Sequence, residues 1–173
     1  METSYIVTFI GDDRPGLVEA VSEVVEKNGG NWLESRLSQL GGKFAGLVLV
    51  SMPTGSGPEL ELALKALTTR GLSIRVTATG PGSPVTAPKD ITLTVIGPDR
   101  PGIVREISSA LATHDVNVVD MDSRVSSAPM SAEQLFEARI DAQISQDTAL
   151  EELMDTLEEI ANQMTLDIAL EPG

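Results

Sequence analysis

Apolar positions along the chain follow two periods, and the change from one to the other marks its elements. Tyr5–Ile10 (YIVTFI) and Ile91–Ile96 (ITLTVI) are short runs rich in β-branched residues that stop at Gly11 and Gly97, as strands ending in tight turns do. Behind each the period lengthens. Leu17, Val18, Val21, Val24 and Val25 recur at helical spacing, and Ile103, Val104, Ile107, Ala110 and Leu111 repeat the stripe. Next, NWLESRLSQL and FAGLVLVSM flank Gly41-Gly42, the composition of a two-residue hairpin turn that needs positive φ. The second counterpart, NVVDMDSRVSS and EQLFEARIDAQI, is joined by the longer APMSA (128–132), an extended hairpin. GPELELALKALTTRG and SQDTALEELMDTLEEIANQM then read as amphipathic helices, and LSIRVTATG and TLDIAL as closing strands.

The same order therefore occurs twice. YIVTFIGDDRPGLVEAVSEVVEKNGGNW aligns without gaps to ITLTVIGPDRPGIVREISSALATHDVNV, 86 positions on from Gly11 to Gly97. Each half is β-α-β-β-α-β. With right-handed crossovers this predicts an α+β fold: two ferredoxin-like βαββαβ domains, each an antiparallel sheet with two helices on one face. The domains are expected at 1–80 and 90–173, with the proline- and glycine-rich stretch 81–89 as linker.

The repeated D-R-P-G turn has two readings. In the first, proline presets φ for the opening helical turn and the preceding aspartate caps the helix. In the second, exposed N–H groups at the helix start attract a carboxylate, and Gly16 or Gly102 lets a ligand come close to the backbone. Asn31 and Asn117 open the next strand in each copy, and an asparagine amide can donate to a carboxylate and accept from an ammonium. They also read as ordinary turn residues after a helix.

Charge and composition narrow the function. Apolar residues make up 41% of the 173 residues, enough for a buried core. There is no cysteine, which excludes disulfides and thiolate metal sites. The net charge is −14, divided unevenly: residues 1–83 carry 7 basic and 9 acidic groups, residues 84–173 carry 5 and 17. Such a field opposes direct nucleic-acid binding. Nothing resembles a leader or a bilayer-spanning run, so a cytoplasmic protein without membrane contact is expected. Catalysis is disfavoured by a single histidine, His114, which ends a helix where Asn28 stands in the first copy. The acids from Glu151 to Glu159 spread along a solvated helix, and Trp32, Met121 and Met130 are isolated, so neither a metal nor a cofactor is expected.

The DRPG turn between strand and helix, followed by Asn31 or Asn117, resembles the ACT domain, a small regulatory module that binds amino acids. The tandem arrangement, ESRLSQLGGKFAGLVLV and DSRVSSAPMSAEQLFEARI are similar to the glycine cleavage system transcriptional repressor family. That resemblance implies an amino-acid-sensing regulatory protein, a transcriptional co-regulator of amino-acid or glycine metabolism acting through a protein partner such as a transcription factor. It implies no enzyme activity and a small amino acid, glycine or serine, as ligand, held where two domains meet. The positions implied are Gly11, Asp13, Gly16, Leu17 and Asn31 in the first copy, and Gly97, Asp99, Gly102, Ile103 and Asn117 in the second. Glu34-Ser35-Arg36 is echoed as Asp122-Ser123-Arg124. The alternative is a non-sensing structural adaptor that binds an enzyme or transcription factor, and exposed edge strands leave a homodimer open.

Overall fold

A computed structural model describes residues 1–80 and 88–173, so the expected linker lies outside the described residues as far as 87. Lys89, its last residue, already pairs with Ile144 at the start of a strand. The chain divides into two compact units, Met1–Ser83 and Pro84–Gly173.

The first unit runs β1 (Glu2–Asp12), α1 (Leu17–Lys27), β2 (Asn31–Leu40), β3 (Lys43–Pro53), α2 (Gly57–Lys65), a 3-10 turn (Ala66–Arg70) and β4 (Ser73–Ala78). The second runs β5 (Lys89–Pro98), α3 (Ile103–Thr113), β6 (Asn117–Ser127), β7 (Gln134–Ile144), α4 (Leu150–Met164) and β8 (Asp167–Pro172). The sheets have the order β2-β3-β1-β4 and β6-β7-β5-β8, and every pairing is antiparallel. Two antiparallel sheets with two α-helices apiece make the α+β, ferredoxin-like fold expected from the repeat.

Alternation along the central strands decides which face is buried. Val7 and Phe9 on β1 meet Val48, Val50 and Met52 on β3 beneath Leu17, Val21 and Val25 of α1. In the second unit Leu93 and Val95 meet Ala138, Ile140 and Ala142 under Ile103, Ile107 and Leu111 of α3 and Leu153 and Leu157 of α4. The opposite faces have diverged. Ile6, Leu47 and Leu49 sit on the first sheet's open face, whereas the equivalent register of the second holds a polar lattice. There the Thr92 hydroxyl donates to Asp141 Oδ1 at 2.6 Å, Arg139 Nη2 donates to the same oxygen at 3.1 Å, and Arg124 Nε donates to Glu137 Oε2 at 2.5 Å.

Close approach explains one pair of glycines. A Cβ on Gly11 would lie 2.7 Å from Leu72 Cδ2, and one on Gly97 would lie 2.6 Å from Leu166 Cδ2 and 2.8 Å from the Thr165 carbonyl oxygen. A leucine tip can move, but a carbonyl fixed in the chain cannot. Gly97→Ala is expected to destabilise the second unit by about 2 kcal/mol, and Gly11→Ala the first by less, because its nearest backbone neighbour is farther away. Denaturant titration of each variant checks the order, and equal or negligible losses would contradict it.

Candidate functional site

The turn after β1 is built by the hairpin tip beside it. Gly41 and Gly42, at φ 59° and 77°, make the tight β2–β3 turn, and the Gly42 carbonyl accepts the Asp13 N–H at 3.0 Å. In the second unit the Asp99 N–H donates to the Gln134 carbonyl at 2.8 Å, so a longer hairpin supplies the same anchor. The Arg14 guanidinium donates to the Arg70 carbonyl, tying the first turn to the 3-10 segment.

Neither aspartate caps its helix, which corrects the structural reading of D-R-P-G. The residue before α1 is Gly16 at φ 89°, ψ 3°, and that before α3 is Gly102 at φ 100°, ψ −10°, with no side-chain cap in either case. Those angles are the third position of a type II turn, for which proline is favoured at the second. Pro15 and Pro101 thus serve a turn ahead of the helix instead of its first helical turn. The first i→i−4 bonds run from Ala20 N–H to the Gly16 carbonyl at 3.0 Å and from Glu106 N–H to Gly102 at 2.9 Å. The amides of Leu17, Val18 and Glu19, and of Ile103, Val104 and Arg105, therefore have no intrahelical acceptor.

Around the first turn lies an open depression of about 310 Å³, lined by Asp13, Arg14, Gly16, Val18, Glu19 and Phe44. Its donors are backbone amides and a guanidinium, its acceptors two carboxylates, and its apolar wall Val18 and Phe44. A small zwitterion matches that mixture.

The expected site residues take different parts. Gly16 and Gly102 are exposed, and a Cβ on Gly102 would meet nothing within 4 Å, so the backbone is approachable. Leu17 and Ile103 put their side chains into the cores at 5% and 2% exposure, leaving only their amides to offer. Asp13 and Asp99 are exposed on the turn. Gly11 and Gly97 are covered by Leu72 and Leu166 on the side where a Cβ would point, so their requirement is packing.

Asn31 and Asn117 stand apart from the turns of their own units. Asn31 is opposite Ser51 on β3 and Gly11 is opposite Phe44, seven residues along the same strand, a separation of roughly 24 Å at antiparallel rise. Asn117 opposite Gln143 and Gly97 opposite Phe136 repeat it. One amino acid cannot touch both within a unit.

Two further expectations change. Glu34 pairs with Leu49, five residues beyond Phe44, but Asp122 pairs with Arg139, three beyond Phe136, so Glu34-Ser35-Arg36 and Asp122-Ser123-Arg124 are not at equivalent register. The structural counterpart of Arg36 is Asp122. Val18, which its spacing places on the buried stripe of α1, is exposed and lines the depression instead, and Phe44 and Glu19 were not picked out by sequence; the signal for Phe44 was its place two residues after the glycine pair, which sets it opposite Gly11.

Beside the turn, Lys43 forms an ion pair with Asp12. The Lys43 hydrogen bond, and then its charge, hold the Asp12 carboxyl below its ordinary value of 3.8. A depressed folded-state value stabilises above the unfolded value and is lost as pH falls through the folded one. Lys43→Met is expected to bring the Asp12 midpoint back up toward 3.8 in a carboxyl carbon NMR titration; an unmoved midpoint would show that the pair does not form in solution.

Comparison with known proteins adds the family. Models of the ACT domain match residues 3–77 and, separately, 91–158. The glycine cleavage system transcriptional repressors of Escherichia coli (strain K12) and Shigella flexneri are each 27% identical over 129 residues. The match covers 71% of this chain and spans 65% of the length of those curated relatives. Among solved structures, an unknown protein from Galdieria sulphuraria superposes with a TM-score of 0.89 at 28% identity, over 100% of this chain and 99% of the other. A structure provisionally assigned as a glycine cleavage system transcriptional repressor superposes at 0.73 with 20% identity, over 100% and 98%, which speaks to the fold.

Proposed function

This chain belongs to the ACT domain family, with two copies of the domain in tandem, and we propose that it is a non-enzymatic sensor of a small amino acid, glycine or serine, that regulates through a protein partner. The observation that carries this reading is the uncapped helix start beside a left-handed glycine, present in both units with the same backbone geometry. Three amides there favour a carboxylate, and the helix dipole adds to the attraction. Asp13 or Asp99 takes the ammonium. Asn31 and Asn117 lie roughly 24 Å from their own turns, so their part in binding calls for a second molecule of the chain.

A regulatory target in amino-acid or glycine metabolism is supported by the likeness to repressors of the glycine cleavage system. A protein partner, such as a transcription factor, fits better than direct DNA contact, because a net charge of −14 repels phosphates.

A thermal-shift screen of the twenty amino acids tests the reading. One small amino acid at a hundred times its Kd is expected to stabilise the chain by about 2.7 kcal/mol. Asn31→Ala or Asn117→Ala, each at an exposed position, is expected to reduce that shift while leaving the unliganded melting temperature near its starting value. No shift with any amino acid would overturn the proposal.

A further inference from the structure

The last basic residue of the chain is Arg139; from Ile140 to Gly173 there are nine acidic residues and no lysine, arginine or histidine. This stretch holds the end of β7, then α4 and β8, and β8 lies at the end of its sheet, hydrogen-bonded among the described residues to β5 alone. Between α4 and β8 runs a groove of about 360 Å³. Its floor is apolar, from Met154, Leu157 and Ala161 on α4 and Ile168 and Leu170 on β8, with Met154 at 50% exposure. Asp155, Glu158 and Asp167 form its rim.

Such an edge presents unpaired backbone donors and acceptors to any extended segment that fits. Ile168 and Leu170 are half-buried toward the helix, while Asp167, Ala169 and Glu171 are exposed on the other side. A strand added there would meet an apolar strip with one set of alternate side chains and carboxylates with the other. A second β8 would bring acid against acid, so self-pairing is opposed. The fold does not demand this charge. In the first unit the same place, α2 to β4, mixes Glu59 and Glu61 with Lys65, Arg70 and Arg75.

We propose that the α4–β8 groove receives an extended basic segment of a partner protein by strand addition, with lysine or arginine alternating with apolar residues. This identifies the partner-facing surface of the regulatory reading above, and so rests on it for its biological role. The segment matches β8 in length, six residues.

The test is a fluorescence anisotropy titration of the full chain, without amino acid, against three labelled six-residue peptides. One alternates lysine with valine, one has the same composition with its lysines contiguous, and one alternates glutamate with valine. The first is expected to bind more tightly than the second by about tenfold, and the third not to bind. The exposed double substitution Asp167→Lys, Glu171→Lys is expected to weaken the first by about tenfold, with far-UV circular dichroism unchanged. Amide shifts in nitrogen-15 NMR should centre on residues 167–171 of β8. Equal binding of the two lysine peptides, an unaffected charge-reversed variant, shifts centred elsewhere or no binding each overturns the proposal. Loss of peptide binding with the amino-acid shift intact sinks this inference; peptide binding with no amino-acid shift sinks the sensor reading.

Discussion

A helix that starts on a left-handed glycine has no side chain at that residue with which to satisfy its first amides. Gly16 and Gly102 impose this condition on α1 and α3, and the account of function depends on it. The turn cannot drift away from the sheet, because the Asp13 and Asp99 amides are tied to the neighbouring hairpins at 3.0 and 2.8 Å. Leu17 and Ile103 fasten the other side by burying their side chains. The donors are therefore held by the same packing that forms the core, and a carboxylate meeting them would require little rearrangement of the backbone.

Duplication kept this backbone and changed what surrounds it. Gly11 and Gly97 sit under a leucine in both units, the helix starts have matching angles, and Asn31 and Asn117 occupy the same register. The open sheet faces, by contrast, went from Ile6, Leu47 and Leu49 to Thr92, Arg139 and Asp141. Backbone requirements hold the first group: a close approach at Gly11 and Gly97, positive φ at Gly16 and Gly102, and the start of a strand at Asn31 and Asn117. The surplus acid of the second half is densest along α4 and β8.

Element order and strand pairing were legible because periodicity changes sharply at Gly11 and Gly97, and because Gly41-Gly42 specifies a tight hairpin. The helix cap was misread: D-x-x-G is compatible with both an aspartate cap and a type II turn, and only the angles of Gly16 and Gly102 separate them. The likeness of Glu34-Ser35-Arg36 to Asp122-Ser123-Arg124 misled for a related reason, since strand register is set by partners distant in sequence. The separation of Asn31 from Asp13 was likewise hidden. Eighteen residues of chain say nothing of distance until the hairpin tip is seen to hold one and the far end of β3 the other.

The central claim, that the amides at the two helix starts bind the carboxylate of a small amino acid, is tested most directly by following backbone nitrogen-15 resonances while glycine and serine are titrated in. Saturable shifts at Leu17, Val18 and Glu19, or at Ile103, Val104 and Arg105, are the result the account predicts. Saturable binding that leaves all six unmoved, or no response to either amino acid, would contradict it.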